Sequence, residues 1–397
     1  YDPEGAQNPI GGGVSGFVKA YKRERGDALC KVVDFAESRK TSALADRIID
    51  ETLGDPGVVE IGTKDGQRWA IGLAEIPTDG STSGVELDKD SVFLVTGAAG
   101  SIVSAIVADL ANASGGTFHL LDLAPEPDRN DPDIAAFARD KAALKRDIFE
   151  RIKASGERAT PAMVEKQLAA LERAHAAVSA IEAIEKAGGT AIYHSVNLTD
   201  DDAIAAVIDN VKERNGRLDV LIHAGGIEIS RFLPDKSREE FDLVFDIKCD
   251  GWHSLLRAIG DMPLRAAMVF SSVAGRFGNG GQADYSAAND LLCKSISGMR
   301  STRPETLGIA IDWTAWGGIG MATRGSIPTM MKAAGIDMLP PEAGIPTVRR
   351  EITQGPRVGE LVVGGRLGIL AEEFAPNGGF NTDAVDVDSG GPMLGRV

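Results

Sequence analysis

Seven short apolar runs, each set off from the next by helical or turn-rich sequence, constrain this chain more than any other feature. They fall at residues 91–96, 117–122, 191–197, 220–223, 267–271, 308–313 and 360–363. Apolar residues are continuous within each run rather than alternating with polar ones. A strand needs that pattern when helices cover both faces of its sheet. The sequence therefore predicts an α/β fold built on a doubly wound parallel, Rossmann-like sheet. At 397 residues the chain has room for such a domain and a smaller companion.

The companion is read in residues 1–88, with helices at 16–24 and 43–52 and strands at 29–34, 58–61 and 68–73. A Gly-, Ser- and Thr-rich stretch at 78–84 reads as the linker to the main domain, 89–372. Between the second and third runs, Ile134, Phe137, Leu144, Ile148 and Ile152 recur at helical spacing. After the cap-and-proline pair Thr160-Pro161, Val164, Leu168, Leu171, Val178, Ile181 and Ile184 do so again. This predicts a helical hairpin inserted at about 130–172, read first as a packing elaboration and second as a docking surface for a carrier protein or another subunit. Residues 373–397, poor in apolar side chains, read as a linker.

Composition narrows the functional classes. Against 42 Lys and Arg stand 58 Asp and Glu, a net charge of −16, so nucleic acid and anionic membrane surfaces are excluded as expected partners. Cys30, Cys249 and Cys293 are odd in number and far apart, which fits a reducing compartment better than a disulfide framework. The five histidines are equally scattered, so no metal site is expected. No window reads as a membrane span and no signal peptide is visible. The expected location is cytoplasmic, and the start at Tyr1 is compatible with an internal piece of a longer protein.

Two clusters carry chemistry. Thr96-Gly97-Ala98-Ala99-Gly100-Ser101-Ile102 follows the first strand and opens a helix, where backbone N–H groups can receive a dinucleotide pyrophosphate. Val103 stands where a third small residue is usual. Asp122 ends the second strand, placed to accept from an adenosine ribose hydroxyl. Arg129, a little further on, could instead pair with a ribose phosphate, so the cofactor reads as NADPH or NADH. The second cluster is Ser271-Ser272 followed by Tyr285-Ser286-Ala287-Ala288-Asn289. Tyr285 and Asn289 lie one helical turn apart on one face. A ketone that accepts hydride becomes an alkoxide and needs a proton. A tyrosine serves as that acid if a cation, here Lys248, lowers its pKa from about 10.

With these residues assembled, 92–370 resembles the short-chain dehydrogenases/reductases, and specifically the ketoreductase domains of modular polyketide synthases and related multidomain fatty-acid synthases. That subgroup carries Tyr-x-x-x-Asn with its lysine on an earlier helix, matched here by Asp246-Ile247-Lys248-Cys249-Asp250-Gly251. Ala310-Ile311-Asp312-Trp313 and Trp316-Gly317-Gly318-Ile319-Gly320-Met321-Ala322 resemble the strand and substrate loop beyond the active site. The resemblance implies that Tyr285 donates the proton, Ser272 holds the carbonyl oxygen, Lys248 lowers the tyrosine pKa and binds the nicotinamide ribose, and Asn289 orients the group. It further implies that His223-Ala224-Gly225 forms a cofactor turn and that Asn197-Leu198 lies beside the adenine.

The same resemblance implies a carrier protein delivering a β-ketoacyl thioester on a phosphopantetheine arm. It makes 11–75 similar to the later part of a structural subdomain, and 391–396 similar to the opening of a dehydratase domain. Three departures stand out: Ile227-Glu228-Ile229 replaces the family's Leu-Asp-Asp, Phe277 replaces a tryptophan, and Asp122 replaces a Ser-Arg phosphate-binding pair. The first two leave product stereochemistry open. A stand-alone NAD-dependent sugar or alcohol dehydrogenase or epimerase, and a reductively silent scaffold, are the competing readings.

Overall fold

The computed structural model describes residues 5–74, 84–320, 322, 327–354 and 359–370. The linker expected at 78–84 lies, but for Gly84, outside the described residues, as do Met321, the tail from 371 and the dehydratase-like 391–396.

The chain begins with helix α1 (Gly11–Glu24). Strand β1 (Val32–Phe35), helix α2 (Thr41–Gly54) and strands β2 (Glu60–Lys64) and β3 (Gln67–Ala70) follow. These three strands form a small sheet in which β1 and β2 are parallel and β3 is antiparallel to β2. The main domain runs β4 (Val92–Thr96), α3 (Ser101–Ser114), β5 (Thr117–Asp122), α4 (Pro132–Arg139), α5 (Lys141–Ala154), α6 (Pro161–Lys186), β6 (Thr190–Ser195) and α7 (Asp201–Asn215). It continues through β7 (Val220–His223), α8 (Arg238–Ile259), β8 (Ala266–Ser272), α9 (Val273–Phe277), α10 (Ala283–Thr302), β9 (Leu307–Trp313), α11 (Ile327–Ala333), α12 (Pro341–Thr353) and β10 (Glu360–Val363).

The seven strands form one parallel sheet in the order β10-β9-β8-β7-β4-β5-β6. The expected doubly wound α/β fold is what the chain adopts. The five inner strands feed two cores, as their continuous apolar runs require: in β4, Phe93 and Val95 face one layer with α3 and α6, Val92 and Leu94 the other with α7 and α8. Strand order reverses between β4 and β7, which opens a crevice at their carboxyl ends where such sheets bind ligands.

The insertion differs in extent from the sequence reading. Leu144, Ile148 and Ile152 of α5 pack on Val164 and Leu168 of α6 in a separate small core. Helix α6 does not stop there: Ala180, Ile181 and Ile184 join the main core. One 26-residue helix is thus both an arm of the hairpin and the crossover between β5 and β6.

Helix α1 lies along α10. A Cβ on Gly12 would come within 2.7 Å of the Asp290 carbonyl oxygen, and one on Gly16 would collide with the Ser286 carbonyl, so only glycine at both positions allows this approach. Across the contact, Lys19 pairs with Glu60 at 3.0 Å and with Asp290 at 2.8 Å. Arg276 pairs with Glu60 and Glu360, and Lys294 with Asp290 and Glu360. Burial opposes ionisation of Asp290, yet Lys19, Lys294 and Arg276 hold its carboxyl well below the usual range.

Candidate active site

The crevice is walled by the turn after β4. Gly97 takes φ +70°, and a side chain there would meet the Ala224 carbonyl oxygen at 2.9 Å. The turn delivers the chain into α3, whose N-cap Gly100 supplies no side-chain cap and whose first turn holds no acidic residue. Helices α7 and α8, by contrast, are capped by Asp200 and Ser237. An uncapped helix start behind a glycine turn leaves N–H groups and the positive end of the helix dipole for an anion. The residues present therefore fit the pyrophosphate of a nicotinamide dinucleotide.

Thr96 organises the floor. Its Oγ1 accepts from the N–H groups of Ala224 (3.0 Å) and Gly225 (2.9 Å) and lies 3.0 Å from His223 Nδ1. With its lone pairs engaged, the hydroxyl gives its proton to Nδ1. That leaves Nε2–H to donate to the Lys248 carbonyl at 2.9 Å. His223 is fully buried, and burial together with the Lys248 charge pushes its pKa down to about 3, so it stays neutral. The ring ties β4 and β7 to α8 and is not exposed to a ligand.

The other residues expected at the cofactor surround this floor. Ala99 donates its N–H to Asp122 Oδ2 at 3.0 Å. Ser101 Oγ accepts from Gly320 N–H at 3.2 Å, bringing the loop after β9 onto the start of α3, where a Cβ on Gly320 would meet Ile102. Leu198 is buried against Gly225 and Gly251, while Asn197 is exposed and accepts from Thr199 N–H at 3.1 Å. Arg129, the candidate phosphate partner, is held by both oxygens of Glu185 at 2.9 and 2.8 Å.

On the other side of the strand reversal stand the four proposed catalytic groups. Ser272 ends β8, and its Oγ accepts from Ala274 N–H at 3.1 Å, capping α9 and leaving the hydroxyl proton to donate. Tyr285 and Asn289 share a face of α10, and Asn289 Nδ2 donates to the Tyr285 carbonyl at 2.7 Å. Lys248 projects from α8, donates to the Phe270 carbonyl at 2.9 Å and lies 5.4 Å over the centre of the Tyr285 ring. The structure brings all four together. The start of α10 is fixed by a buried ion pair between Asp284 and Lys236 at 2.7 Å.

The electrostatics correct one expectation. Burial, and then Glu228, push the Tyr285 hydroxyl up to about 12, opposed by hydrogen bonding with Asn289 and Ser272. The Lys248 ammonium is bonded to the Phe270 carbonyl and lies over the ring face. Burial in turn pushes Lys248 down to about 8. At neutral pH the phenol keeps its proton and the lysine its charge.

Sequence reasoning missed the groups behind α10. Cys293, Asp312 and Glu360 bring donor atoms within 4.8 Å of one another although far apart in the chain. Glu360 there is paired with Arg276 and Lys294, and burial pushes the Asp312 carboxyl up to about 8, so the cluster carries its own cations. Lys236, paired with Asp284, and Arg173, whose Nη1 lies 3.4 Å from Asp122 Oδ1, stand in no local motif that would have signalled them.

Fold and site together define an NAD(P)H-dependent oxidoreductase domain. A family model described as the KR domain matches residues 91–318, and the chain belongs to that family of ketoreductase domains. One of the subunits of the polyunsaturated fatty acid synthase of Thraustochytrium sp. is 29% identical over 362 residues, covering 89% of this chain and 13% of that protein. Polyketide synthase PksL of Bacillus subtilis is 30% identical over 181 residues, covering 44% of this chain and 4% of the relative. The chain thus spans a small fraction of these curated relatives. Among solved structures, a ketoreductase domain from the bacillaene assembly line matches with a TM-score of 0.70 at 23% identity, covering 92% of this chain and 76% of that one. An A-type ketoreductase from a modular polyketide synthase matches with the same score at 19% identity, covering 92% and 66%. Among the described residues, no helix is long and apolar enough to cross a membrane.

Proposed function

We propose that the chain reduces the β-keto group of an acyl thioester, presented on a carrier protein within a multidomain synthase, to the β-hydroxyacyl product. The observation that carries this reading is the convergence of Ser272, Tyr285, Lys248 and Asn289 across the strand reversal from the glycine turn after β4. Residues 1–88 would serve as a structural companion to the catalytic domain, 89–372. The synthase relatives support a carrier protein and neighbouring domains as partners.

A bound nicotinamide supplies the hydride. Ser272 Oγ donates to the carbonyl oxygen and holds it in place. Tyr285 Oη passes its proton to that oxygen as charge develops, and the Lys248 cation over the ring stabilises the phenolate left behind. Asn289 anchors the turn of α10 that aims the phenol.

The purified chain is expected to oxidise NADPH or NADH when given a β-ketoacyl thioester and to ignore nucleotide sugars. The opposite selectivity would favour the free-standing sugar dehydrogenase or epimerase reading. Failure to bind either cofactor would favour a silent scaffold.

Lys248 also predicts a pH dependence. Its folded pKa of about 8 lies below the ordinary 10.5, so the unfolded chain binds the proton more strongly between those values, and this group's contribution to stability rises with pH across that window. Activity moves the other way. Reductive kcat/KM is expected to fall as pH rises through about 8 and the cation is lost. A profile flat from neutrality to pH 10.5 would remove Lys248 from the mechanism.

A further inference from the structure

The catalytic groups lie on the β7 and β8 side of the strand reversal, so the adenosine half of a dinucleotide belongs over the end of β5. The carboxylate at that end is already engaged by the backbone. Asp122 Oδ2 accepts from Ala99 N–H at 3.0 Å, and Oδ1 accepts from Ala124 N–H at 2.9 Å. The side chain is only 5% exposed. What lies over it is Arg173, 52% exposed, whose Nη1 reaches Asp122 Oδ1 at 3.4 Å. Most of the guanidinium's N–H donors remain for other partners. Tyr193 Oη, donating to the Ala124 carbonyl at 3.0 Å, fixes the loop beneath.

Arg173 belongs to α6, in the stretch where the helix leaves the hairpin and starts along the sheet. The geometry points to Arg173 as the group that receives the 2′-phosphate of NADPH, supplied by the inserted hairpin instead of the loop after β5. The inference rests on the reading of the crevice as a dinucleotide site. Asp122 then acts as a buried brace: it ties the glycine turn to β5 and holds the arginine at the edge of the ribose site. The hairpin thereby gains a role in cofactor choice. A planar, permanently charged guanidinium suits a phosphate dianion.

Calorimetric titration of the whole chain with NADPH, NADH, adenosine 2′,5′-bisphosphate and 5′-AMP tests this without catalysis. Tighter binding of both 2′-phosphorylated ligands is expected. Arg173→Ala should weaken them by roughly 10–100-fold, the range for a hydrogen bond to a charged group, and leave NADH within about threefold. Arg173→Lys should restore part of the preference, and thermal unfolding should show each variant folded. The proposal fails if the wild type favours NADH, if Arg173→Ala weakens all four ligands alike, or if Arg129→Ala is the change that erases the preference. Binding of none of the ligands would overturn the dinucleotide reading itself, and this proposal with it.

Discussion

Tyr285→Phe is expected to lower kcat for ketone reduction by about 10²–10⁴-fold, the usual contribution of a positioned proton donor, with cofactor affinity little changed. The substitution removes only the hydroxyl. The ring keeps its place beneath Lys248, and Asn289 still holds the Tyr285 backbone carbonyl. Because burial and Glu228 keep the phenol protonated far above neutrality, the acid is fully loaded in the wild type across the assay range. Steady-state turnover alongside a cofactor titration checks this. Undiminished turnover would transfer the proton to another group, and lost cofactor binding would make the effect structural.

The second large effect concerns stability. Lys19→Met is expected to destabilise the fold by about 3–5 kcal/mol, as removal of one member of a buried ion cluster does. Lys19, Arg276 and Lys294 face Glu60, Asp290 and Glu360; Lys19, Arg276, Glu60 and Asp290 are buried, and Lys294 and Glu360 close the cluster on its half-buried side. Taking away one cation leaves an excess negative charge where α1 and β2 meet the helix that carries Tyr285 and Asn289. Adding Glu60→Gln should recover part of the loss, because it restores charge balance, and a urea-unfolding cycle over the four proteins measures that coupling. A change below about 1 kcal/mol for Lys19→Met would mean that water reaches the cluster.

The sheet was legible because a strand covered on both faces leaves a local mark. All seven apolar runs, from Val92 to Val363, became strands of one parallel sheet. The proposed catalytic residues could be read for a similar reason: Tyr285 and Asn289 are one turn apart on a single helix, and Ser272 sits at the end of the strand before it. What could not be read depends on groups distant in sequence. Nothing around Lys19 announces Asp290, a partner 271 residues away, and His223 gives no sign that both its nitrogens serve Thr96 and Lys248. The division of α6 between hairpin and crossover was hidden as well. Its apolar spacing is the same whether it packs on α5 or on the sheet, so periodicity alone does not show where the hairpin ends and the crossover begins. That burial dominates the Tyr285 hydroxyl was hidden for a related reason, since a motif does not say how much water each of its groups has lost.

The most direct test follows the hydride. The chain would be incubated with a β-ketoacyl thioester and nicotinamide cofactor carrying deuterium at C4 of the ring, prepared in both facial forms, and the product analysed by mass spectrometry. One of the two forms should place a single deuterium on the β-carbon of a β-hydroxyacyl thioester. Cofactor oxidation with no deuterium in the product from either form, or unreduced thioester despite bound cofactor, would contradict the account.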